Sequence, residues 1–175
     1  MANKKVLLAI LDGWGIGDGS EADVIYNANT PNMDELQKKY PGSRLSTSGE
    51  SVGLPTGQMG NSEVGHLNLG AGRVVYQDIV RINKAIDDDS FFENETLKKA
   101  YSYAKEDDKK VHLLGLVSDG GVHSSMKHLY ALCDMAKRED FSDLYIHALT
   151  DGRDTDPRSG KGFMTDLSSH LDNSN

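Results

Sequence analysis

Three times along this chain a short, continuously apolar run gives way to a loop containing Asp-Gly. Residues 5–11 lead into Asp12-Gly13, residues 111–117 into Ser118-Asp119-Gly120, and residues 144–149 into Thr150-Asp151-Gly152. Runs that are apolar throughout, rather than alternating, belong to strands buried on both faces of a parallel sheet. Helical periodicity lies between the second and third runs and again after the third. The pattern predicts an α/β fold with mainly parallel sheets flanked by helices. Ligands in such sheets bind beyond the carboxyl ends of the strands, so the repeated loops predict one polar site, or two. Asp-Gly is also a common turn dipeptide, yet no partner strand follows Asp12 to make a hairpin.

The remaining elements fit this frame. Thr30 and Pro31 open a helix to about Tyr40 with Met33, Leu36 and Tyr40 on one face, and Pro41-Gly42 stops it. Residues 44–48 read as a short strand. Ile79, Ile82 and Ile86 are spaced for one buried helical face. Further helices are predicted over residues 94–104, around Leu129, Leu132, Cys133 and Ala136, and over residues 160–171, with residues 105–110 a solvated turn. At 175 residues there is material for one ordinary domain. The formal net charge of −8 argues against nucleic acid and an anionic membrane surface as partners. A single cysteine, Cys133, excludes an internal disulfide framework and suits a cytoplasmic location; a small apolar role on a helix face is expected for it. The run after Lys4 and Lys5 is too short for a membrane span.

The chemistry concentrates in GQMGNSEVGHLNLGAG, residues 57–72. Ser62 lies behind Gly57 and Gly60 and ahead of a segment that can start a helix, where free N–H donors receive a phosphoryl group well. A Gly/Ser-rich stretch is by default a surface loop, but Gln58, Asn61, Glu63 and His66 are denser in functional groups than a linker requires. The stretch lacks the Gly-Lys-Ser/Thr ending of a nucleotide-binding loop and the Gly-x-Ser-x-Gly frame of a hydrolase. Ser62 therefore needs another activator, either His66 four residues on or a metal ion. Asp12 and Ser62 are hard oxygen donors suited to Mg²⁺ or Mn²⁺, though two ligands are too few for a stable site. His123, Arg153 and Asp154 would supply a proton-transfer group, a bidentate anion clamp and a general acid/base, with Gly152 supplying the bend that lets Arg153 and Asp154 act together. His112 and His147 read as core or sheet-face residues, His128 and His170 as ordinary helix-surface residues, and Arg158 and Lys161 as solvated charge or substrate steering.

The segments LLAILDGWG, LPTGQMGNSEVGHLNLGAGRVVYQD, LLGLVSDGGVHS and HALTDGRD, in this order over essentially the whole chain, resemble the signatures of cofactor-independent phosphoglycerate mutase in the alkaline phosphatase superfamily. The resemblance implies a two-domain α/β enzyme that interconverts 3-phosphoglycerate and 2-phosphoglycerate through a phosphoserine, in glycolysis and gluconeogenesis. It uses Mn²⁺, two ions in the complete enzyme, with Mg²⁺ or another divalent ion as an alternative, and no bisphosphoglycerate. By matching motif, Asp12 corresponds to a metal ligand and Ser62 to the metal-bound nucleophile. His123, Arg153 and Asp154 correspond to substrate-binding residues, with Asp154 the proton shuttle and His66 in a structural or supporting role. Residues 1–76 would form the first segment of a discontinuous metal-binding phosphatase domain, and residues 77–175 the first part of the inserted transferase domain. Family members run to two or three times this length, so the chain is expected to be an N-terminal portion, inactive alone, of an enzyme that is monomeric when complete. The ending HLDNSN reads as a helix cut short. The alternative is a non-catalytic fragment that keeps only ligand or partner binding through the His123 and Arg153 loops; a phosphatase is disfavoured, because a hydrolase has no need of the second set of loops.

Overall fold

The computed structural model describes residues 5–106 and 108–174. Its architecture is mixed α/β: a two-stranded parallel sheet with helices around it. β1 (Val111–Val117) pairs with β2 (Leu144–Thr150) in a register that sets Val111 beside Leu144 and Val117 beside Thr150. Parallel strands need a crossover, and α6 (Met126–Arg138) provides it. Because side chains alternate across a strand, Val111, Val117, Leu144, Ile146 and Ala148 turn toward the helices. His112, Leu114, Tyr145, His147 and Leu149 lie on the opposite, exposed face.

The core has two adjoining parts. Tyr101 of α5 (Glu95–Glu106) packs with Phe92, Ala131, Met135 and Ala136, and Ile86 of α4 (Asp78–Asp87) abuts this group. Val117, Met126 and Leu167 of α7 (Gly160–Ser174) form the other. Met135 has no exposed surface. Cys133 is buried as well, and burial pushes its thiol up to about 11, so it behaves as a small apolar residue. On α4, Ile86 packs inward as expected and Ile79 is half-buried, but Val80 is the buried residue and Ile82 is exposed.

The first 76 residues are organised differently. Residues 5–11 are not a strand: Val6 and Leu7 are 93% and 90% exposed, and no described strand pairs with the run. A strand requires a ladder to satisfy its backbone, and among the described residues the only ladder is β1–β2. The expected strand over residues 44–48 is absent for the same reason. A four-residue helix, α1 (Val24–Asn27), is capped by Asp23, whose side chain accepts from Tyr26 N–H. The predicted helix after Thr30 forms as α2 (Pro31–Lys39), but none of its residues is buried. A small cluster of Val52, Leu54 and Val64 holds a 3-10 turn, Gly49–Val52, against α3 (Ser62–Ala71). Asn68 fastens this unit through its side chain, donating to the Val52 carbonyl and accepting from Val75 N–H. The unit meets the rest of the chain where Gln77 N–H donates to the Gly53 carbonyl and Lys84 lies 3.5 Å from Glu50.

Candidate functional site

Two clusters form at the ends of the apolar runs. In the first, Trp14 N–H bonds back to the Leu11 carbonyl, closing a tight turn in which Gly13 has φ +81°. That turn carries Asp12 toward the start of α3. Asn61 caps the helix, its side-chain oxygen accepting from Val64 N–H at 3.1 Å. Gly60 passes so close to the Thr47 carbonyl that a Cβ there would overlap it. Ser62, the first residue of α3, donates from Oγ to Asp12 Oδ2 at 2.5 Å, a contact between residues 50 apart in sequence. Both side chains are exposed and line an open cleft of about 720 Å³ with Trp14, Met59 and His66.

His66 can be placed by donor and acceptor logic. Its Nδ1 lies 2.8 Å from the Ser62 carbonyl and 3.2 Å from Ser62 Oγ. A carbonyl only accepts, so Nδ1 carries the proton and donates, with Oγ sharing that donor. Nδ1 cannot then take the serine proton, and of the two activators considered His66 is the worse placed. Asp12 is the acceptor that Ser62 has. Asp12 Oδ2 and Ser62 Oγ are adjacent hard oxygens at a helix N-terminus, and they fit as part of a site for a hard divalent cation. Among the described residues there is no group of three or more His, Cys, Asp or Glu able to hold a metal.

The second cluster follows from strand register. Val117 sits beside Thr150, so Ser118 and Asp151 leave the sheet side by side. Ser118 Oγ donates to Asp151 Oδ2 at 2.9 Å, and both residues are buried. The other carboxylate oxygen accepts from the N–H groups of Arg153 and Asp154, at 2.9 and 3.2 Å. These two amides and then the Ser118 hydroxyl hold the Asp151 carboxyl below its ordinary value. The bend that brings Arg153 and Asp154 round one loop is thus made by Asp151, and Gly152 contributes no left-handed backbone to it. His123 Nε2 reaches across from the loop after β1 to within 3.6 Å of Asp154 Oδ2, while Arg153 is exposed.

The sequence-predicted residues therefore fall into two sets: Asp12 with Ser62, and His123 with Asp154 and Arg153. Ser118 and Asp151 were missed by sequence reasoning as organisers of the second set; the signal was their matching position at the end of two apolar runs. His112 and His147 are sheet-face residues as expected, joined by a 2.8 Å Nδ1–Nε2 contact. His128 and His170 are not ordinary surface residues. His128 Nε2 lies 2.8 Å from Asn83 Oδ1, and burial, then Lys127, lowers its pKa. His170 stacks on Tyr130 and lies 3.1 Å from Asp134. Arg158 and Lys161 are exposed.

Comparison with known proteins adds independent findings. The family model described as BPG-independent PGAM N-terminus matches residues 82–175. The 2,3-bisphosphoglycerate-independent phosphoglycerate mutase of Parabacteroides distasonis is 62% identical over 169 residues, covering 97% of this chain and 33% of that protein. The enzyme of the same name from Clostridium beijerinckii is 55% identical over 164 residues, covering 94% of this chain and 32% of that one. A crystal structure of Leishmania mexicana phosphoglycerate mutase at low cobalt concentration superposes with a TM-score of 0.60 at 37% identity, over 94% of this chain and 30% of that one. The chain thus spans about a third of the length of the curated relatives it matches.

Proposed function

The chain belongs to the family of BPG-independent phosphoglycerate mutase N-termini, and from that premise we propose that it carries the nucleophile and part of the substrate site of an enzyme interconverting 3-phosphoglycerate and 2-phosphoglycerate. The observation that carries the reading is the 2.5 Å hydrogen bond from Ser62 Oγ to Asp12 Oδ2 at the N-terminus of α3. Residues 1–76 are assigned to a discontinuous metal-binding domain and residues 77–175 to the substrate-binding domain, in a monomeric cytoplasmic enzyme of glycolysis and gluconeogenesis. No helix of the described residues is long and apolar enough to cross a membrane.

In this reading Ser62 Oγ attacks the phosphorus of 3-phosphoglycerate, the bond to the C3 oxygen breaks, and phosphoserine forms. Asp154 delivers a proton to the departing C3 oxygen and removes one from the C2 hydroxyl. The C2 oxygen then attacks phosphoserine and Ser62 Oγ leaves. Arg153 holds the carboxylate or phosphate through its planar fork. His123, 3.6 Å from Asp154, orients that carboxyl and the substrate. Asp12 and Ser62 would hold Mn²⁺, which when bound favours the serine alkoxide and offsets charge on the phosphoryl group. The N-terminal end of α3 contributes in the same direction.

The full-length polypeptide that carries these residues is expected to convert 3-phosphoglycerate to 2-phosphoglycerate without added bisphosphoglycerate. A chelator should abolish the activity and Mn²⁺ restore it. Dependence on added bisphosphoglycerate, or turnover indifferent to chelation, would overturn the proposal.

A further inference from the structure

Ser124 and Thr155 each directly follow a residue of the second cluster, His123 in the loop after β1 and Asp154 in the loop after β2. Their hydroxyl oxygens are buried, and among the described residues neither has a hydrogen-bond partner. Other polar groups of the second cluster are paired: Ser118 with Asp151, and the Arg153 and Asp154 amides with the same carboxylate. Buried polar atoms without partners are rare, because they have given up water and received nothing in return. Ser124 lines a cleft of about 440 Å³ with His123, Ser125 and His128. The Thr155 methyl is seated against Gly120, with Cγ2 3.3 Å from where a Cβ on that glycine would lie.

Resting on the function proposed above, we infer that the Ser124 and Thr155 hydroxyls are positioning groups of the substrate site, and that they gain their hydrogen-bond partners from the oxygens of the bound phosphorylated hydroxy acid. The inference makes the two states respond in opposite ways to loss of the hydroxyl. In the free protein no bond is lost and an unpaired buried group disappears, so stability holds or rises. In the complex a hydrogen bond is lost, so binding weakens. A hydroxyl with a purely structural role would lower stability and leave binding alone.

The test uses the full-length polypeptide with Ser124→Ala, Thr155→Val, Thr155→Ser and, as a probe of the underlying reading, Arg153→Ala. Thermal midpoints are measured without ligand, and KM and kcat with 3-phosphoglycerate. Ser124→Ala and Thr155→Val should keep or raise the midpoint and raise KM about two- to tenfold, the range of one hydrogen bond. Thr155→Ser, which keeps the hydroxyl, should retain the original KM. An unchanged KM in both Ser124→Ala and Thr155→Val, or a fallen midpoint in either, would overturn the inference. If Arg153→Ala raises KM while those two do not, this inference fails alone; if Arg153→Ala is also without effect, or the unaltered protein does not turn over phosphoglycerate, the substrate-site reading fails with it.

Discussion

Two long-range serine–aspartate side-chain hydrogen bonds among the described residues, Ser62–Asp12 and Ser118–Asp151, are made of the same groups in different surroundings. Ser118 and Asp151 are buried, and the carboxylate is saturated by a hydroxyl and two backbone amides. Ser62 and Asp12 are exposed in a cleft, and among the described residues Asp12 accepts no hydrogen bond other than that from Ser62. A saturated carboxylate fixes a loop, whereas one with spare lone pairs beside a hydroxyl can take a cation or a proton. Chemistry is thus assigned by what each aspartate has left to bind.

Exchanging the two serines for alanine gives the largest contrast. In the full-length polypeptide Ser62→Ala should lower kcat by on the order of 10⁵- to 10⁶-fold, the scale of removing a covalent nucleophile, with the unfolding free energy within about 0.5 kcal/mol of the parent. Ser118→Ala should retain turnover but lose roughly 1–3 kcal/mol, because a buried carboxylate oxygen loses its donor. Steady-state kinetics beside thermal unfolding reads both, and the opposite pattern would invert the comparison. Within the loop that Asp151 organises, Asp154→Asn should lower kcat by roughly 10²- to 10⁴-fold with a smaller change in KM. Arg153→Lys should act mainly on KM, since a point charge cannot reproduce the bidentate fork. Equal losses in both parameters for both variants would remove the division of labour.

Asp12→Asn keeps the shape beside Ser62 but removes the charge. Mn²⁺ affinity, followed by calorimetric titration, should fall by about ten- to a hundredfold. An unchanged titration would make Asp12 a turn residue. The smallest effect concerns acid. Asp151 has its folded pKa held below the ordinary 3.8 by the Arg153 and Asp154 amides. A carboxylate with a depressed folded value adds stability above its unfolded pKa and loses it as pH falls through the folded one. The thermal midpoint should therefore drop as pH falls from about 5 to below the ordinary 3.8, with a shallower drop in Asp151→Asn. A drop of the same size in both would show that other carboxylates set the acid limit.

How much of this was legible in the sequence differs between the two halves for one physical reason. Residues 111–117 and 144–149 were readable as strands because each is the other's partner, and the helices that cover them lie in the same stretch of chain. Residues 5–11 carry the same apolar signal, but burial of a strand is a property of a sheet, and among the described residues no strand pairs with them. Local chemistry read more faithfully than burial: Asn61 and the glycines place Ser62 at a helix start whether or not a sheet stands behind it. The contact of Ser62 with Asp12 spans 50 residues, so no local spacing announces it; their shared character as hard oxygen donors paired the two residues, and the motif resemblance agreed with it. Asp151 escaped notice because an aspartate before glycine reads as a turn; only strand register sets it beside Ser118.

The central claim is that Ser62, and not the equally aspartate-bonded Ser118, carries the phosphoryl group. Mixing the Mn²⁺-loaded full-length polypeptide with 3-phosphoglycerate, quenching within one turnover and mapping the phosphorylated peptide by mass spectrometry tests it directly. The account predicts phosphate on the peptide containing Ser62 and its disappearance in Ser62→Ala. Phosphate on any other residue, or turnover with no phosphoenzyme at all, would contradict it.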